Sequence, residues 1–248
     1  PWDKFAIQFG GFVTTSDTTL QLNSDTLGLG AVINLENVLG VESSFSTYRL
    51  DARYRFGETR RHELEFHYFT SERDGSQTLD RDTIIGDIEF KAGDGVFTEF
   101  ELQFANIDYV YNFLMDDRVR LGVSVGLHTT GIRLAVASTN GVDREEEEFT
   151  APLPMLGFRS EVILAKRWRA ITDLNLFYLE YDQYTGRLAD IYFALEWRPW
   201  KRFGLGAALN AIDYEVEANS DADLALGGWN GQLEYRMSGF LLYGKYFF

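Results

Sequence analysis

The sequence predicts an all-β fold: a transmembrane, antiparallel, up-and-down β-barrel of about ten strands. Three observations predict it. Segments of period-two alternation recur from end to end of the chain, and helical periodicity is absent at useful length. The connections between those segments alternate between tight and long. The composition carries 20 Phe and 13 Tyr among 248 residues, yet no run approaches the roughly 18 apolar residues of a membrane-spanning helix.

The first strand sets Phe5, Ile7, Phe9, Gly11 and Val13 on one face. The second, YRLDARYRF (48–56), places Tyr48, Leu50, Ala52, Tyr54 and Phe56 opposite Arg49, Asp51, Arg53 and Arg55. In a soluble sandwich the charged row would meet water; in a membrane barrel it would line the interior, with lipid against the tyrosines. One strand cannot separate these readings. The third strand opposes Leu64, Phe66 and Tyr68 to Glu63, Glu65 and His67, and the fourth opposes Ala105, Ile107, Tyr109, Tyr111 and Phe113 to Asn106, Asp108 and Asn112. The fifth alternates most cleanly, with Val119 to Leu127 against Arg120, Gly122, Ser124, Gly126 and His128. The sixth pairs Leu156, Phe158, Val162 and Leu164 with Arg159 and Glu161. The seventh carries Arg169 and Asp173 opposite its apolar row, and the eighth carries Glu196 and Arg198. The ninth begins FGLGAALNA, and the last occupies about 224–248.

That last run changes phase. Trp229, Gly231, Leu233 and Tyr235 are odd, whereas Phe240, Leu242, Tyr246 and Phe248 are even. A one-residue bulge at MSG (237–239) would reconcile them in one strand and turn Glu234 and Arg236 into the lumen. With both termini on the periplasmic side the count must be even, so ten strands is the reading. Twelve is the alternative if LGLGAVINL (27–35) is a strand that pairs with a further segment.

The connections decide between lipid and water. Short ones are RFGETRRH, LMDDRVR, LAKRWR and RPWKRF; long ones lie near 16–43, 71–98, 133–152, 181–187 and 215–224. Short periplasmic turns and long extracellular loops sort in this way in outer-membrane barrels, and a sandwich has no reason to sort them. The whole chain, 1–248, is read as one such barrel domain in a bacterial outer membrane.

Composition narrows function. A net charge of −15 argues against nucleic acid as a partner, since phosphate binding needs a basic face. The chain has no cysteine, which excludes a disulfide scaffold and thiolate metal sites, and its 3 histidines argue against a His-rich zinc site. Mean hydropathy is −0.20, as expected where only alternate residues need be apolar. The opening PWDKFAIQ lacks a basic segment followed by an apolar one, so any signal peptide is expected to have been removed.

The closing FLLYGKYFF resembles the C-terminal signature of bacterial outer-membrane barrels. That resemblance implies that Tyr246 and Phe248 are read by the barrel assembly machinery. The layout resembles small OmpA- and OmpW-type barrels. More narrowly, INLENVLG (33–40), YRFGETRRHELEFHY (54–68), APLPMLGFR (151–159) and YTGRLADI (184–191) resemble a widespread proteobacterial outer-membrane barrel family of uncharacterised function. This chain carries Asn37 and Val38 where that family has acidic residues.

Each chemical constellation has a plainer reading. Glu63, Glu65 and His67 share a strand face and could form a catalytic or metal cluster, but Arg49, Arg53 and Arg55 on the neighbouring strand make a lumenal ion-pair ladder the preferred expectation. His128 with Ser124 or Thr130 lacks a third group to orient it, so no catalytic residues are expected. An omptin-like Asp pair matched to an Asp–His pair near the loops is not found. The acid run DREEEE offers only a weak calcium candidate, through Asp143, Glu145 and Glu146; a solvated loop is preferred and no metal or other cofactor is expected. Outer-membrane lipid and lipopolysaccharide are the expected surroundings, and the basic turns could dock an envelope protein. The resulting expectation is a non-enzymatic barrel with a narrow or occluded charged lumen, serving as small-solute pore, binding protein or structural element. An outer-membrane enzyme acting on lipid or peptide, and an assembly partner in a larger envelope complex, are the alternatives.

Overall fold

The computed structural model describes residues 2–23, 32–85, 88–139, 144–181, 184–218 and 231–248. The elements in chain order are β1 (Phe5–Leu22), β2 (Ile33–Asn34), α1 (Leu35–Val38), β3 (Ser44–Phe56), β4 (His62–Thr78), β5 (Thr83–Ile85) and β6 (Ile88–Phe90). They continue with β7 (Gly95–Met115), β8 (Val119–Ser138), β9 (Arg144–Ala165), β10 (Trp168–Tyr181), β11 (Tyr184–Trp197), β12 (Phe203–Ala218) and β13 (Gly231–Phe247). Among the described residues, ten strands form one antiparallel sheet in the order β13-β12-β11-β10-β9-β8-β7-β4-β3-β1. The sheet closes because β1 also pairs with β13, from Ala6↔Phe247 to Leu22↔Gly231. Closure leaves neither β1 nor β13 as a free edge, as a sheet in lipid requires.

The tight turns are built from local chemistry. Gly57 takes φ +78 and Arg60 φ +54 between β3 and β4, a left-handed conformation that glycine adopts freely. Between β7 and β8 the Asp116 carboxylate accepts the amides of Arg118 and Val119, each at 2.7 Å. Those two donors hold Asp116 below the usual carboxylate range.

The barrel has two zones of opposite polarity. In the lower zone the outer face is apolar: Phe9, Ile107, Val125 and Leu209 are each more than half exposed, while charged and amide side chains fill the inside. Toward the other end the alternation inverts. Phe100, Leu134, Val136, Leu233 and Tyr235 are buried inside, and Glu101, Arg133, Glu146 and Arg236 stand outside as exposed ion pairs. The inversion follows from solvent. Below, the outside is lipid; above it, the outside is water, so the inward row becomes an ordinary apolar core.

This inversion corrects two expectations. Much of the sequence predicted as long loops is strand, because β4 runs to Thr78, β8 to Ser138 and β9 begins at Arg144. The bulge predicted at 237–239 does not exist: β13 keeps one continuous register with both neighbours. Glu234 and Arg236 therefore lie on the outer face, with Arg236 at 63% side-chain exposure, and not in the lumen. The phase change marks where the strand leaves the lipid.

Residues 33–43 complete the wall. β3 starts only at Ser44, leaving a gap above it between β1 and β4. β2 pairs with Thr19–Leu20 of β1, and Val41 bridges to Gly75 of β4. A Cβ on Gly75 would lie 2.2 Å from the Gly40 carbonyl, so that close approach needs glycine. Of the 27–35 segment proposed as an extra strand, 27–31 lie outside the described residues, and only Ile33–Asn34 pair.

Candidate functional site

The antiparallel register sets Arg53 opposite Glu65, Arg55 opposite Glu63 and Asp51 opposite His67 across β3 and β4. Opposed charges on one face of a ladder attract, and here they are also removed from bulk water. Arg53 Nε lies 2.6 Å from Glu63 and 3.0 Å from Glu65, and Arg55 Nε lies 2.9 Å from Glu63. Arg49 turns away from the glutamates. It bonds Asp51 at 2.8 Å and Asn210 at 2.8 Å, and Asp51 also holds His67 at 2.6 Å.

The centre of this layer comes from β9. Glu161 has no side-chain exposure and lies within 2.8–3.5 Å of five guanidiniums: Arg169, Arg55, Arg53, Arg120 and Arg198. Those arginines come from β10, β3, β8 and the residue just past β11, so one carboxylate gathers strands from across the barrel. Arg198 also bonds Glu196 and Asp3, and Lys245 of β13 reaches Glu196 at 3.1 Å. The ring is thereby continued around the wall.

One layer higher, Arg159 reaches Glu65 at 2.7 Å, Asp108 at 2.8 Å and Asp173 at 3.7 Å. His128 bonds Thr130 at 3.0 Å and stands beside Phe104. Ser124, the other partner weighed for it, packs against Gly157, where an added Cβ would lie 2.3 Å from its hydroxyl. Between these side chains lies a cavity of about 30 Å³, lined by Gln8, Arg49, Asp51, His67, Asp173 and Tyr192. That space holds a water or two and nothing larger.

A third layer caps the lumen with Phe12, Phe69, Phe100 and Tyr235, and with Leu35 and Leu39 from the inserted segment. One ion pair lies within it. Arg73 of β4 has no side-chain exposure; it bonds Glu36 at 2.6 Å and Thr18 Oγ1 at 2.7 Å. The sequence reading missed this pair because Glu36 sits in a segment without strand periodicity. Glu36 lies in the four-residue α1, which carries no strand register from which a partner could be inferred.

Three ligand atoms of Glu65, His67 and Asp108 come within 4.8 Å of one another, close enough to hold a metal ion. The donor set does not fit one, because the Arg159 guanidinium already bonds both carboxylates and occupies the cation's electrostatic place. Of the calcium candidates, Asp143 lies outside the described residues. Glu146 stands on the outer face paired with Arg133 at 2.7 Å and Arg144 at 3.1 Å, and Glu145 sits beside it on β9. At the other end Tyr246 and Phe248 point outward, with their rings 4.6 Å apart.

No sequence-family model and no curated protein matches the chain. Among solved structures, the outer-membrane protease OmpT from Escherichia coli is similar with a TM-score of 0.60 at 9% identity, over 98% of this chain and 96% of that one. The transport unit of the Escherichia coli autotransporter AIDA-I aligns over 99% of this chain and 90% of its own at 8% identity, TM-score 0.47. Neisserial surface protein A aligns over 99% and 97% at 11% identity, TM-score 0.38. The closed ten-stranded sheet, its apolar belt and the OmpT likeness together give this chain the fold of the bacterial outer-membrane β-barrels.

Proposed function

We propose that the protein is an integral outer-membrane barrel with a non-conducting lumen, serving as a binding or structural element of the envelope and neither as an open pore nor as an enzyme. The observation that carries this reading is Glu161 with its five guanidiniums. A solute crossing there would have to strip a buried carboxylate of its partners, which is strongly unfavourable. The apolar layer above adds a second barrier to water and ions.

Peptide hydrolysis is the reading that the OmpT fold brings forward, and the site chemistry weighs against it. All 3 histidines of the chain are placed: His62 begins β4 at the periplasmic end, and His67 and His128 lie inside the barrel. None stands at the extracellular mouth as a base for a substrate arriving there. The outward aromatic pair Tyr246 and Phe248 supports recognition by the assembly machinery. The polar outer face of the upper zone supports contact with lipopolysaccharide headgroups.

The test is solute efflux from proteoliposomes loaded with ions and small sugars. Release no faster than from protein-free vesicles is expected. Rapid release of the loaded solutes would sink the closed-lumen reading.

A further inference from the structure

The wall has a seam between β9 and β10. Among the described residues the β9–β10 ladder runs from the turn up to Leu156↔Leu176 and stops. Both strands continue beyond it: β9 stays paired with β8 as far as Arg144, and β10 stays paired with β11 as far as Tyr181. Extending the register would set Tyr178 opposite Pro154 and Glu180 opposite Pro152, but those pairs are not made.

The prolines explain the seam. Ile163 donates its amide to the Arg118 carbonyl at 2.7 Å, so odd residues of β9 aim their N–H groups at β8 and even residues aim theirs at β10. Residues 152 and 154 are even, and both are proline. Two donors that would have faced the seam are therefore absent from β9, while Tyr178 and Glu180 of β10 keep theirs, so the β9 edge is a poor template for another strand. A second copy adding by strand pairing is thereby disfavoured.

At the foot of the seam lies a groove of about 660 Å³. Its banks are Leu156, Phe158, Leu174 and Leu176, which face lipid, and Phe177 and Leu188, which belong to the inward rows. The groove runs over the outer face of the paired ladder and reaches the half-buried Phe177 where that ladder ends. Arg187 stands at its rim, bonded to Glu215 at 2.9 Å. The opening is at the upper edge of the apolar belt, beside Tyr178, where outer-leaflet acyl chains begin.

We propose that this seam is a lateral binding cleft for one acyl chain of an outer-leaflet lipid. The proposal rests on the membrane-embedded reading above and gives the closed barrel a binding site that does not use the lumen. An acyl chain suits the cleft because it needs no hydrogen bonds, arrives from the side and finds an apolar lining.

The experiment uses the full chain in phosphatidylcholine vesicles doped with a phospholipid bearing a diazirine midway along one acyl chain. After irradiation, adducts are mapped by peptide mass spectrometry. The expected result is severalfold denser labelling at Leu156, Leu176 and Phe177 than at Val123 and Ile107, which face lipid on other walls. Ala189→Trp, which fills the groove from β11, should lower cleft labelling severalfold and leave Val123 and Ile107 unchanged; Leu174→Trp should do the same from β10. Even labelling around the belt with Phe177 untouched, indifferent to both fillers, would overturn the cleft. Absence of labelling anywhere on the belt would overturn the membrane reading itself, and the cleft with it.

Discussion

Arg120 of β8 and Glu161 of β9 stand directly opposite each other across their ladder, 3.3 Å apart at the guanidinium, and neither side chain has any solvent exposure. Arg120 is anchored on its other side by Glu63 at 2.8 Å. A network of this kind stabilises only while every member keeps a partner.

Glu161→Gln is therefore expected to destabilise the barrel by about 3–5 kcal/mol, the cost of leaving buried charge uncompensated. Urea titration of the protein folded in lipid vesicles measures it. Glu146→Gln, which removes an exposed outer ion pair, should leave the same titration unmoved. Equal effects would mean that the lumenal charges are solvated.

The belt can be probed on one strand face at two depths. Val123 and Gly131 both point outward from β8, the first amid apolar neighbours and the second one residue pair below Arg133. Val123→Arg should cost roughly 2–4 kcal/mol and Gly131→Arg no more than about 1 kcal/mol. Space is not the confounder, since a Cβ at Gly131 meets nothing closer than 3.6 Å. The reverse order in folding measurements would place the lipid boundary wrongly.

The inverted upper zone predicts thiol reactivity. The chain has no native cysteine, so single substitutions report cleanly. Arg236→Cys should react at once with a water-soluble maleimide, and Met237→Cys, buried against the core, should not react until the protein is unfolded. Reaction of Met237→Cys alone would restore the bulge that the register excludes.

Arg73 and Glu36 fasten the inserted segment to β4, with the Arg73 guanidinium also 5.0 Å from the Phe100 ring. Glu36→Gln should loosen residues 33–43 and speed their proteolysis from the extracellular side, with the lower barrel still resistant. Unchanged cleavage would assign the fastening to Leu35 and Leu39 instead.

Sequence periodicity carried the lower zone well, because lipid imposes one rule on every strand. The outward rows through Phe9, Tyr48, Val123 and Phe240 are all exposed on the belt, and their alternates lie inside. The same rule misled above the belt. Glu234 and Arg236 alternate with Leu233 and Tyr235 just as lumenal charges would, and only the change of solvent reverses their meaning. Neighbouring-strand pairs such as Arg55 and Glu63 were legible from the tight turn that joins β3 to β4. The convergence on Glu161 was not, because it depends on barrel closure and on strands over a hundred residues apart in sequence. The β9–β10 seam also escaped notice. Pro152 and Pro154 reveal their role only once their edge and its hydrogen-bond parity are known.

Single-channel recording in planar bilayers tests the closed lumen most directly. The wild-type barrel, inserted at low density in moderate salt, should give a flat baseline with no steady conductance, and Glu161→Gln with Glu63→Gln should add brief, noisy openings. A wild-type channel that is large, steadily open and unchanged by the double substitution would contradict the account.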